Sequence, residues 1–217
     1  MNQSDDVWKN YMKIRSLEEL FEELLTHPSI ETGKPLFIGE ILMMALLHED
    51  WNAAEVCLKR LIQIGSCIDN SFAYGAIIEY LDAWVGCKNQ DCQIEITAKE
   101  PINGLKWLLT NGADMTLRMS FLPIHYATTN SLNVCLTELL THGACPNWID
   151  RFDDNNTPIM ETIEFNNLEG VKILVQWGGA NKEIVNTYGE NIYDIASKNP
   201  NKEILSYLKS NIQEQSR

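Results

Sequence analysis

Three copies of one pattern, evenly spaced, limit this chain more than any other feature. LPIHYA at 122–127, TPIMET at 157–162 and NIYDIA at 191–196 are each followed by a second apolar helical segment. Pro123 and Pro158 stand 35 residues apart, and Ile192 takes the same slot 34 residues further on. A glycine repeats with equal regularity: Gly143 lies 20 residues after Pro123, and Gly178 lies 20 residues after Pro158. A period of this length means that each copy is one small unit, too small to bury its apolar face alone, which stacks on its neighbours.

The two punctuating residues have backbone reasons. Proline is tolerated in the first turn of a helix, where its missing N–H has no partner to lose. Glycine just past a helix takes the left-handed conformation that closes it. Between these signals Leu136, Leu139 and Leu140, and then Val171, Leu174 and Val175, recur with helical spacing toward one buried face. Each unit therefore reads as a short helix pair. The helix-pair ends LLTNGAD (108–114), LLTHGAC (139–145) and LVQWGGAN (174–181), with the Pro-led starts, resemble the ankyrin repeat, whose pattern opens Thr-Pro-Leu-His-x-Ala and closes Leu-Leu-x-x-Gly-Ala-Asp. The resemblance runs from about Gly104 to Leu208 and implies an all-α ankyrin-repeat solenoid of about five helix pairs with short hairpin loops.

The N-terminal half departs from this pattern. Within 35–70, Ala45, Leu58, Leu61, Ile62 and Gly65 keep the second-helix signal, while the first helix reads about one turn longer than the family's. The segment 71–103 has a helical stretch around Phe72 to Trp84, then GCKNQDCQ and no Pro-led start, which predicts a loop inserted at 86–97. Leu17, Leu20, Phe21, Leu24 and Leu25 predict an N-terminal capping helix within 1–34, begun by Ser16 and Glu19 at capping-box spacing. A last helix with Ile204, Leu205 and Leu208 and a polar tail occupy 199–217. No Pro-rich or Ser/Gly-rich linker interrupts the chain, so 1–217 reads as a single domain, with divergent repeats at 35–103 and regular ones at 104–198.

Composition narrows the function. The net charge of −13 repels nucleic-acid phosphates and anionic lipid, and its complement is a basic protein. The opening MNQSDDVWKN is polar and acidic, and the longest apolar run, Ile41–Leu47, is too short to span a bilayer. A cytoplasmic protein, monomeric when free, with neither membrane nor nucleic-acid partner, is the expectation. Six cysteines without a secretory signal are expected to be free thiols.

Catalytic signals are weak. Cys87 and Cys92 have a spacing that could hold half a zinc site, but no second Cys or His pair stands at matching separation to complete it, so no metal is assigned. No Gly-rich loop is present to cradle a phosphate, and no cofactor is expected. His27, His48 and His142 lie near predicted helix ends with no triad partner, and His125 occupies the motif slot whose histidine, in the family, ties a helix start to the neighbouring hairpin. The chain reads as a non-enzyme.

The resemblance also implies where a partner sits, since such arrays bind through hairpin tips and the exposed face of the first helices. The tip residues are Arg118, Met119 and Phe121, then Trp148, Arg151, Asp153, Asp154 and Asn156, then Thr187, Tyr188 and Glu190. Tyr126, Thr129, Glu161 and Glu164 come from the first helices. Asp150, Asp153, Asp154, Glu161 and Glu164 against the single Arg151 predict an electronegative central groove. By analogy of fold, an immunity protein neutralising a cognate toxin suits this reading. An adaptor or secreted bacterial effector engaging host proteins is a second role, and a metal or catalytic protein built on 71–103 is a third.

Overall fold

The computed structural model describes residues 35–89, 98–117, 121–150, 154–179, 181 and 183–212, with 35–37 through the backbone only. The expected N-terminal capping helix with His27, the loop residues 90–97 with Cys92, and the tail 213–217 lie outside the described residues. Ten α-helices and one 3₁₀ turn make up the regular structure, with no named strand among the described residues. Their contacts divide the chain into two compact units, Met1–Leu117 and Arg118–Arg217.

The first unit contains α1 (Pro35–Leu47), α2 (Trp51–Gln63), a 3₁₀ turn (Asp69–Ser71), α3 (Ala76–Asn89) and α4 (Ile102–Thr110). Helix α1 is 13 residues long, against seven for the first helices of the regular repeats, in line with the longer first helix expected there. Its Ile38, Ile41, Leu42, Met43, Ala45 and Leu46 are all fully buried, so it is apolar around most of its circumference and packs against α2, the 3₁₀ turn and α3. Gly39 permits the closest of these approaches: a Cβ there would stand 2.0 Å from the Ser71 carbonyl oxygen. Asp69 pins the turn, its carboxylate accepting from the Ala76 N–H at 3.0 Å and the Asp114 N–H at 2.8 Å. Helix α3 continues to Asn89, so residues 86–89, expected to begin a loop, are helical.

The second unit is built from three helix pairs: α5 (Pro123–Thr129) with α6 (Asn133–Thr141), α7 (Pro158–Glu164) with α8 (Leu168–Gln176), and α9 (Ile192–Lys198) with α10 (Lys202–Ile212). First helices pack on first helices, α5 on α7 and α7 on α9, and second helices on second, α6 on α8 and α8 on α10. The result is two rows of helices enclosing Ile124, Leu136, Leu139, Ile159, Ile163, Val171, Leu174, Ile192, Ile204 and Leu208. Pro123 and Pro158 sit at the start of their helices. Where the third copy lacks proline, Asn191 caps instead, accepting from Tyr193 N–H at 2.8 Å and Asp194 N–H at 3.2 Å.

The glycine signal recurs in both units. Gly65, Gly112, Gly143 and Gly178 follow the second helices with φ between +71° and +97°. At Gly143 the chain closes α6 with bonds from Gly143 N–H to Leu140 and from Ala144 N–H to Leu139, each 3.0 Å. Asn133 and Asn167 bind neighbouring repeats through a reciprocal amide pair of 3.2 and 2.8 Å, and Asn167 also caps α8 at Gly170 N–H.

Candidate functional site

Two hairpins of the second unit carry five of the eleven described candidate residues: Asp154, Asn156, Thr187, Tyr188 and Glu190. In the first, Asp150 N–H donates to Asn156 C=O at 2.8 Å, and the tip turns through Asp154 and Asn155 at φ +50° and +57°. Both tip positions require the left-handed region, which Asp and Asn tolerate better than other non-glycine residues. In the second, Asn186 N–H donates to Glu190 C=O at 3.0 Å, Gly189 turns at φ +73°, and the Asn186 side chain accepts from the N–H groups of Tyr188 and Glu190.

Asp154 fastens the hairpins together. Its backbone carbonyl accepts from Thr187 N–H at 2.8 Å, and its carboxylate accepts from the Thr187 hydroxyl at 3.2 Å and the Tyr188 hydroxyl at 3.1 Å. Beneath this contact the Asn186 amide donates to Asn156 Oδ1 at 3.4 Å. Tyr188 is 70% exposed while its hydroxyl is held, so its ring is presented to solvent in a fixed pose. Glu164 is exposed and accepts from the Asn156 amide at 3.3 Å, and Glu190 pairs with Lys198. Phe121, Tyr126, Thr129 and Trp148 are half-buried. Arg118, Met119, Arg151 and Asp153 lie outside the described residues.

The expected surface needs two corrections. Asn156 is 2% exposed, because its backbone closes the first hairpin and its amide bridges Glu164 and Asn186. Glu161 is wholly buried between first helices, where one carboxylate oxygen lies 2.7 Å from His125 Nδ1 and the other bonds the Thr128 hydroxyl. Neither side chain faces a partner. Asp150 is also buried, at 2% exposure, so the surface acids of the predicted groove among the described residues are Asp154 and Glu164, with Glu190 half-buried beside its lysine.

His125 is buried and joins its own repeat to the next through the Glu161 carboxylate. Burial pushes the Glu161 carboxyl above its ordinary range and nearby Asp150 adds to this, whereas the bonds and charge of His125 and the bond from Thr128 oppose it. His125, Asp150 and Glu161 offer ligand atoms within 4.8 Å of one another, the only such group among the described residues. Both Glu161 oxygens are already committed to His125 and Thr128, which makes this a hydrogen-bonded cluster rather than an open coordination site. Thr128 and Asn186 were not singled out by sequence, since each acts on a residue 30 or more positions away.

Elsewhere, Cys57, Cys67, Cys87, Cys135 and Cys145 are reduced and outside any disulfide, and the Cys57 thiol is pushed up to about 12, mainly by burial. An open groove in the first unit, lined by Trp51, Asn103, Lys106, Trp107, Thr110 and Asn111, is a further concavity that the sequence did not signal. No helix among the described residues is long and apolar enough to cross a membrane.

The model for ankyrin repeats in three copies matches residues 94–186 and 124–216, together more than half of the chain. No curated protein matches it.

Proposed function

The chain belongs to the ankyrin-repeat family, a fold that serves protein–protein interaction, and on that premise we propose a non-enzymatic module that takes a basic protein on the hairpins of its second unit. The observation that carries this reading is the cross-linked hairpin pair, in which Asp154 holds Thr187 and the exposed ring of Tyr188. A tyrosine fixed before binding loses little conformational freedom when it is covered, and tyrosine is enriched among residues that dominate interface energy. Asp154 and Glu164 supply acidic character around it, and the net charge of −13 favours approach of a basic partner at a salt-dependent rate. Trp148, Phe121, Tyr126, Thr129, Thr187 and Glu190 complete the proposed surface. Within this reading the partner is a basic toxin and the chain is its immunity protein, free as a monomer and active in the cytoplasm.

The reading is tested by capture from lysate of the source organism at low and moderate salt, comparing the wild type with Tyr188→Ala and with Glu164→Lys. Loss of one basic protein from both variants, with unchanged melting temperatures, is the expected result. Equal capture by all three forms removes the hairpin surface from the account. If the captured protein is toxic to cells and the wild type suppresses that toxicity, the immunity role stands; a harmless partner excludes it.

A further inference from the structure

The contacts of Thr128, His125 and Glu161 leave one proton to be placed. Thr128 Oγ1 lies 2.8 Å from the His125 carbonyl oxygen and within hydrogen-bond reach of Glu161 Oε2. A hydroxyl has a single proton to donate, and a carbonyl has none. If Glu161 were ionised, the single hydroxyl proton would have to be shared between two acceptors, weakening both contacts in a buried site. Both contacts are satisfied when Thr128 donates to the carbonyl and a protonated Glu161 Oε2 donates to Thr128 Oγ1. Glu161 Oε1 then accepts from His125 Nδ1–H at 2.7 Å.

The imidazole agrees with this assignment. His125 Nε2 is buried with no hydrogen-bond partner among the described residues. An imidazolium would bury a charged, unsatisfied N–H there, whereas the neutral ring leaves only an unpaired acceptor, the cheaper of the two. A neutral histidine and a neutral acid fit the pocket together.

We infer that folded Glu161 is held as the protonated acid, and that this proton fastens α5 to α7 and is a pH-sensitive latch beneath the hairpin that begins at Asp150. Loss of the proton places a buried carboxylate beside Asp150, whose backbone closes that hairpin onto Asn156. The titratable groups beside Glu161 are His125 from α5 and Asp150 from the hairpin. The other helices packed on α7 carry Glu169 and Lys172 on α8, paired with each other at the surface, and exposed Asp194 and Lys198 on α9, the latter paired with Glu190. The direction of the pH effect follows from burial, which raises the folded carboxyl above its unfolded value. Its stabilising contribution is therefore complete below the unfolded value and is lost as pH rises through the folded one. The inference is independent of which partner the hairpins bind.

The test uses the full chain. Isotope-edited infrared difference spectra, taken just above the pH at which ordinary glutamates ionise, should show a protonated-carboxyl band that is missing from Glu161→Gln. Thr128→Val, which keeps the shape but removes the acceptor, should move that band to higher frequency. As pH rises from the ordinary carboxylate range, the melting temperature of the wild type should fall relative to that of Glu161→Gln, which can accept from His125 and donate to Thr128 and should match the wild type at the acidic end of that range. Absence of the band, a band unmoved by Thr128→Val, or a Glu161→Gln form that is unfolded or melts far below the wild type at the acidic end of that range would overturn the assignment in favour of an ionised pair.

Discussion

Replacing Asp154 by glycine and, separately, by alanine divides the hairpin fastening into its two physical parts. Both changes remove the bonds to the Thr187 and Tyr188 hydroxyls, of 3.2 and 3.1 Å, and both leave the backbone bond from Thr187 N–H in place. These side-chain bonds are exposed, so each contributes near the lower end of the usual range, about 0.5 kcal/mol, and their loss costs about 1 kcal/mol. Residue 154 also sits at φ +50°, where glycine is at ease and alanine is disfavoured by a further ~1 kcal/mol. Asp154→Gly should therefore lose about 1 kcal/mol and Asp154→Ala about 2 kcal/mol, read as shifts of the urea midpoint at unchanged slope. An alanine form as stable as the wild type, or a glycine form less stable than the alanine form, would refute this division.

Two glycine substitutions and one labelling experiment probe the rest of the fold. Gly143→Ala meets no atom within 4 Å but must hold φ +97°, so thermal unfolding should report a loss of about 1 kcal/mol from backbone conformation alone. Gly39→Ala lacks that conformational penalty yet drives a methyl to 2.0 Å from the Ser71 carbonyl, and should lose more, about 3 kcal/mol, in the same measurement. Buried Cys57, its thiol pushed up to about 12, should resist iodoacetamide in the native chain while exposed Cys67 reacts, as read by mass spectrometry; equal labelling would contradict the packing of α2.

What could be read from the sequence was whatever the backbone dictates. Pro123, Pro158, Gly143 and Gly178 announced helix starts and stops because their conformational rules act locally, and Gly65 and Gly112 carry the same stop into the first unit. The end of α3 was misplaced because Gly86, Lys88 and Asn89 look like loop residues, yet a helix already formed extends through them. The buried acids were misplaced for a different reason. Glu161 aligns at 35 residues with Tyr126, which is half-buried, and a polar residue in that slot reads as surface. Its burial depends on His125 and Thr128 from the preceding repeat, just as Asn156 depends on Asn186 from the next. Such pairings cross about one repeat length and leave no local mark.

The central claim is that the hairpins of the second unit form the partner surface, and hydrogen–deuterium exchange with and without the captured basic partner tests it most directly. The account predicts protection by the partner within 150–156 and 186–190, centred on Tyr188. Protection confined to the first unit, around Trp51 and Trp107, with the hairpins unchanged, would contradict it.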